Sequence, residues 1–216
     1  MVRHSRQDAL TDDEFEHLLE VAGELEDPYD AQVTFVLVAG GRLGMRGGEI
    51  CHLHESWINW KRSMIEIPSF EPCSCGYCRK RAKSAAEHND GLTFEEAMDR
   101  RWNPKTRNSA RAIPFDFSDR VEAVVTAFFD RYDAYPHSRV SVNRRVDRVA
   151  LRADLDPSRV YPHALRATAA THHAYRGVPT TALQNLMGWE QLTTAQKYIR
   201  LSGEPTANAL REAHAD

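Results

Sequence analysis

The chain has 216 residues, 42% hydrophobic and 27% charged, with a formal net charge of −3. That length carries one sizeable core, or a core with an insertion, and the composition is that of a folded globule rather than a disordered tail. No apolar run reaches the roughly 18 residues of a membrane span and "MVRHSRQDALTDDEF" has no signal-peptide core, so a cytoplasmic location with no membrane partner is expected.

In chain order, Thr11 and Glu14 form a capping box ahead of Phe15, Leu18, Leu19 and Ala22, which recur at helical spacing. "DAQVTFVLVAGGRLGMRGGEI" reads as a nearly all-apolar helix, a glycine break, and a second helix starting near Arg46. "SWIN", a turn at "WKRS", "MIEIP" and the later "ARAIPF" have strand character and predict a small antiparallel sheet. Between the second and third strands lies an insertion at about 71–101, with a helix at "TFEEAMDRR". The remainder reads as helices. One is capped by Ser118, and another lies in "VNRRVDRVALRA". "HALRATAATHHAYRG" ends at Gly177, "TTALQNLMG" ends at Gly188, and Thr193 with Gln196 caps a helix carrying Tyr198. The tail "SGEPTANALREAHAD" is expected to form one further helix.

Charge is unevenly distributed. From Asp8 to Asp30 every formally charged residue is acidic, whereas "DRRWNPKTRNSAR" and the stretch from Arg139 to Arg176 are dominated by arginine. A chain close to neutral can still carry a basic face, and the local field is what draws a phosphate backbone. Arg107 and Arg111 in the first stretch, and Arg144, Arg145 and Arg148 on one helix, are candidates for DNA contact, with solvation as the alternative. The basic "RKRAK" of the insertion divides between the same two readings.

Cys73, Cys75 and Cys78 in "CSCGYC" are too local for a secreted disulfide framework and close enough to share Zn²⁺. A fourth ligand would come from Cys51, His52, His54 or His88, and the metal would be structural; a loop of free thiols is the alternative.

Cutting DNA through a covalent intermediate requires a nucleophile to attack phosphorus, fixed cations on the non-bridging oxygens, and an acid for the departing 5′ oxygen. A tyrosine, two arginines, a lysine and histidines meet those needs without a cofactor for catalysis. "PHALRATAATH" puts His163 and Arg166 three apart, on one helix face. Upstream, Arg46 has Glu49 one turn later; downstream, Tyr198 follows Trp189 by nine positions.

In order, "GMRGGEI", "NPKTRNSARAIPF", "HALRATAATH" and "LMGWEQLTTAQKYI" resemble the signature segments of the tyrosine recombinase, or phage integrase, family. The resemblance implies a mainly helical catalytic domain (α+β) with about eight helices around a three-stranded antiparallel sheet, spanning 8–212. The amino-terminal core-binding domain usual in the family is expected to be absent. The implied activity is site-specific cleavage and rejoining of double-stranded DNA through a 3′-phosphotyrosyl intermediate. A homotetramer on DNA would perform it, integrating or excising a mobile element such as a virus or plasmid.

By the same resemblance Arg46 and Arg166 clamp the scissile phosphate, His163 assists proton movement at the nucleophile Tyr198, Lys105 protonates the leaving oxygen, and Glu49 supports. Trp189 stands where the family most often has histidine. Indole donates one hydrogen bond and cannot shuttle a proton, so positioning is its expected part. His172 and His173 are expected to have a core or surface role, and Trp57, Trp60 and Trp102 to pack in sheet and core, rather than to act. A catalytically inactive DNA-binding protein of the same fold and a type IB topoisomerase-like enzyme stand as alternatives.

Overall fold

The computed structural model describes residues 5–69, 73, 75–99, 110–202 and 204–214. Helix α1 (Asp12–Gly23) opens on the expected box: Thr11 Oγ1 accepts the Glu14 N–H at 3.1 Å while Glu14 Oε2 accepts the Thr11 N–H at 2.9 Å. Its apolar stripe, Phe15, Leu18, Leu19 and Ala22, is buried. Helix α2 (Tyr29–Gly41) has apolar residues all round, which fits a helix enclosed on every side. It packs against α1, α6 (Asp119–Phe129), α7 (Arg139–Arg152) and α8 (Pro162–Tyr175), and Phe35 stacks on Phe128 with ring centroids 3.8 Å apart. Ser118 holds the N-cap of α6 without a side-chain cap bond.

The sheet is three-stranded and antiparallel in the order β1 (Ile58–Asn59), β2 (Met64–Ile67), β3 (Arg111–Pro114). Ile65 pairs with both Ile58 and Ile113, and Ile65 and Ile113 are fully buried, so period-2 alternation sets the register. Ile67 opposite Arg111 closes the ladder and fixes where Arg111 enters the molecule.

Eleven α-helices are present among the described residues, rather than about eight. Within the insertion α4 (Gly76–Glu87), not read from the sequence, packs on α5 (Phe94–Asp99), the helix expected at "TFEEAMDRR", and α11 (Glu204–Ala213) is the helix expected in the tail. The basic "RKRAK" thus lies on a regular helix, with Cys75 at its N-cap. Lys105, Arg107 and Trp102 lie outside the described residues. Helix α11 packs against α8 and α10 (Leu192–Ser202) of its own chain. Because α10 begins at Leu192, Thr193 sits inside its first turn rather than capping it, and donates to Gln191 Oε1 at 3.4 Å.

Between α8 and α10 lies α9 (Thr180–Met187). A second, smaller apolar cluster joins these three helices through Ala170, Ala174, Leu183, Met187 and Ala195, with Trp189 and Tyr198 packed on it. No helix among the described residues is long and apolar enough to cross a membrane.

Candidate active site

Arg46 stands at the N-cap of α3 (Gly47–Cys51), and Glu49, at the third helical position, reaches back to it. Glu49 Oε2 accepts the Arg46 backbone N–H at 2.7 Å and Oε1 accepts Arg46 Nη1–H at 2.7 Å. Arg111, delivered by β3, donates Nη1–H to Oε1 and Nη2–H to Oε2, each at 2.9 Å. Both carboxylate oxygens therefore accept two bonds, which uses the acceptor capacity of the group. Burial alone would push the Glu49 carboxyl up; the bonds and charge of Arg111, with the charges of Arg166 and Arg46, outweigh that and hold it at about 2.

The arginines also meet at the end of α9. Its last carbonyls have no partner inside the helix and lie at the negative end of its dipole. Arg111 donates Nε–H to Leu186 O at 2.7 Å, Arg166 donates Nη2–H to Met187 O, and Arg46 donates Nη2–H to Gly188 O at 2.9 Å. Three successive carbonyls are each held by a guanidinium from a different part of the chain. Gly188, at φ 55°, is in the left-handed region that ends a helix this way and turns the chain toward Trp189.

Arg166 also donates Nη1–H to Gly44 O. Gly44 has φ +63°, a left-handed conformation that side-chain-bearing residues rarely adopt, and a Cβ there would also push on Met187 Sδ at 2.6 Å, so glycine favours the turn that brings the Arg46 loop to α9. Arg166 is 3% exposed. Burial, and then the neighbouring Arg46 and Arg111 charges, lower its pKa.

His163 lies one turn before Arg166 on α8, with an exposed side chain. The Tyr198 ring stacks on Trp189, with centroids 5.1 Å apart and planes 15° from parallel. Burial raises the Tyr198 phenol above its ordinary value, and the positive charges of Arg6 and Arg166 act against that rise. Arg46, Arg166, Trp189 and Tyr198 thus belong to one neighbourhood. Three guanidiniums around one carboxylate leave surplus positive charge there, suited to an anion with several oxygens.

Two residues expected to contact DNA have partners inside the molecule. Arg111 does not face solvent; it is spent on Glu49 and Leu186, and its side chain is 5% exposed. No spacing signal could have found this, since its partners lie 62 and 75 positions away. Arg145 is half-buried, donates Nη2–H to Gln32 Oε1 at 2.9 Å, and lies over the Tyr29 ring. Arg144 and Arg148, four apart on α7, are exposed on the outer face. Two histidines of α8 have partners away from the arginine cluster: His172 Nδ1 lies 2.6 Å from Asp12 Oδ1, and His173 Nε2 bonds Arg42 O at 2.8 Å. Cys73, Cys75 and Cys78 converge with His52, while Cys51, His54 and His88 stand outside that group.

The phage integrase family model matches residues 8–204. Over 197 residues the chain is 34% identical to tyrosine recombinase XerC of Corynebacterium efficiens, covering 89% of this chain and 54% of that protein. Over 193 residues it is 28% identical to tyrosine recombinase XerD of Xanthomonas axonopodis pv. citri, covering 88% and 57%. The chain therefore spans about half the length of these two relatives. In fold it is similar to the crystal structure of XerA recombinase, with TM-score 0.63 and 16% identity over 95% of this chain and 63% of that one. It is similar also to the Tn1549 transposon integrase in complex with circular intermediate DNA, with TM-score 0.63 and 19% identity over 95% and 66%. Together with four sequence motifs in order and a mostly helical fold carrying one small sheet, the match assigns this chain to the phage integrase family of tyrosine recombinases, as its catalytic domain.

Proposed function

We propose that the chain is the catalytic part of a site-specific DNA recombinase that cleaves and rejoins strands of double-stranded DNA through a 3′-phosphotyrosyl intermediate. Integration or excision of a mobile element is the biological setting. The observation that carries the reading is the convergence of Arg46 and Arg166 on adjacent carbonyls, Gly188 O and Met187 O, immediately before the Trp189 ring that stacks on Tyr198.

In the proposed reaction Tyr198 Oη forms a bond to the scissile phosphorus as the bond from phosphorus to the 5′ oxygen breaks. The phenol has a raised pKa and is protonated at neutral pH, so its proton must leave as the bond forms; His163 accepts it. Lys105 protonates the departing 5′ oxygen. Arg46 and Arg166 hold the non-bridging oxygens as negative charge grows on them, exchanging carbonyl partners for phosphate. A 5′ hydroxyl from the partner strand then attacks the phosphotyrosyl linkage, restoring the phenol. DNA as partner is supported by relatives in fold whose structures are DNA complexes, the Tn1549 integrase and the XerH recombinase bound to its difH substrate. A homotetramer on DNA is part of the proposal.

The test uses a pool of duplexes of random sequence, each nicked so that cleavage releases a short fragment and traps the enzyme. Protein-linked DNA that survives denaturation is sequenced. A covalent adduct on a preferred sequence, lost in Tyr198→Phe, is expected. Duplex binding without any adduct would favour an inactive DNA-binding protein, and relaxation of supercoiled plasmid without sequence preference a type IB topoisomerase.

A further inference from the structure

We infer that His52, Cys73, Cys75 and Cys78 form a closed structural Zn²⁺ site that clips the insertion to the helix bearing Arg46 and Glu49.

The four side chains come from two parts of the chain. His52 is the C-cap of α3, Cys73 precedes α4, Cys75 is its N-cap, and Cys78 lies in its first turn. One ligand atom from each lies within 4.8 Å of all the others. On a tetrahedral zinc with bonds of about 2.0–2.3 Å, ligand atoms sit roughly 3.5–3.8 Å apart, so the cluster needs adjustments of only about 1 Å. His52 Nε2 and Cys78 Sγ already stand 3.2 Å apart. Three sulfurs and one imidazole are a soft set that selects zinc over calcium or magnesium, and four protein ligands leave no open position for catalysis.

The surroundings fit a ligand set. His52 Nδ1 is 2.7 Å from Gly48 O, which places the ring proton on Nδ1 and turns the Nε2 lone pair toward Cys78. Backbone N–H groups point at the sulfurs: the Cys75 N–H at Cys73 Sγ, 3.4 Å, and the Cys78 N–H at Cys75 Sγ, 3.5 Å. Such contacts are the outer-shell support expected around metal-bound sulfur. His52, Cys73 and Cys78 are 7%, 5% and 3% exposed and Cys75 is half-buried, so three of the four ligands are shielded from competing water. On binding, the three thiols release their protons and neutral His52 supplies its lone pair.

The position explains the purpose. Gly48 and Glu49 belong to the same short helix as the His52 cap, so a metal on His52 anchors the end of α3 opposite Arg46. It also fixes α4, whose Arg79, Lys80, Arg81 and Lys83 are exposed.

The test is metal analysis of the full chain expressed with zinc supplementation and purified without chelator, followed by replacement with Co²⁺. The expected result is a single zinc per chain. Its cobalt form should show the intense visible bands of tetrahedral geometry and a thiolate-to-cobalt charge-transfer band. His52→Ala should lose most of the metal, and Cys51→Ser, His54→Ala and His88→Ala should keep it. Cys78→Ser is expected to lose it as well, but because it is buried and could fail to fold, the wild-type cobalt spectrum decides. A wild-type protein without zinc, a weak octahedral cobalt spectrum, or a mass showing a disulfide among these cysteines would overturn the site. Full metal retention with an unchanged spectrum in His52→Ala would overturn the ligand assignment.

Discussion

Arg111 and Glu49, 62 positions apart, are joined by two parallel N–H···O bonds of 2.9 Å, and the same carboxylate holds Arg46 by backbone and side chain. One buried acid therefore sets the position of one proposed phosphate clamp and ties it to the sheet. Removing one partner from such a buried ionic group costs about 3–5 kcal/mol, because the remaining charges are left uncompensated.

Glu49→Gln should lower the midpoint of urea unfolding at neutral pH, and the deficit should shrink in acid. The folded carboxyl titrates at about 2 against an ordinary 4.5. A depressed acid pKa contributes stability that is complete above the ordinary value and is lost as pH falls toward the folded one. Over that window Glu49 accounts for roughly 3 kcal/mol. Wild type and Glu49→Gln should therefore converge between pH 4.5 and about 2; parallel stability curves across that range would show that Glu49 is not held low by the arginines.

Arg46→Ala should reduce the rate of adduct formation by about 10²–10³-fold while duplex binding falls less than tenfold, because a fixed cation matters most where charge develops. Arg166→Ala should do the same and also destabilise the fold, since it leaves the buried Gly44 and Met187 carbonyls without a donor. Single-turnover cleavage beside equilibrium binding separates the effects. Equal losses in both would assign these side chains to binding alone.

Lys105→Ala should slow cleavage of ordinary DNA, and a substrate with sulfur in place of the 5′ bridging oxygen should restore the rate. A thiolate leaves without being protonated, so the need for an acid disappears. An equal defect on both substrates would remove Lys105 from the acid role.

Replacing Arg144 and Arg148 together by alanine should reduce the slope of log binding constant against log salt by about 2, roughly one for each phosphate that is no longer neutralised. Arg145→Ala should leave the slope unchanged and lower stability instead, since its guanidinium is bound to Gln32. The reverse pattern would return Arg145 to the DNA surface.

Much of this architecture was legible in the chain because it rests on local rules. The Thr11–Glu14 box, the period-2 pairing of Ile65 with Ile58 and Ile113, and the glycine endings at Gly177 and Gly188 are set by short-range geometry. The insertion was harder to read: α4 is rich in basic residues, and its charge hid a regular helix capped by Cys75. The fourth candidate metal ligand stayed open among four residues until the fold brought His52 to Cys78.

The order of motifs by itself pointed to the family, and it put forward the proposed residues of its chemistry, with His163 and Arg166 on one helix face. Only the tertiary structure decided that Arg111 is a buried partner of Glu49, that Arg145 packs on Gln32, and that three guanidiniums share the carbonyl end of α9. The physical reason is that a guanidinium takes whichever acceptors folding presents to it. Those acceptors are backbone carbonyls and a distant carboxylate, and neither leaves a mark in the residues beside the arginine.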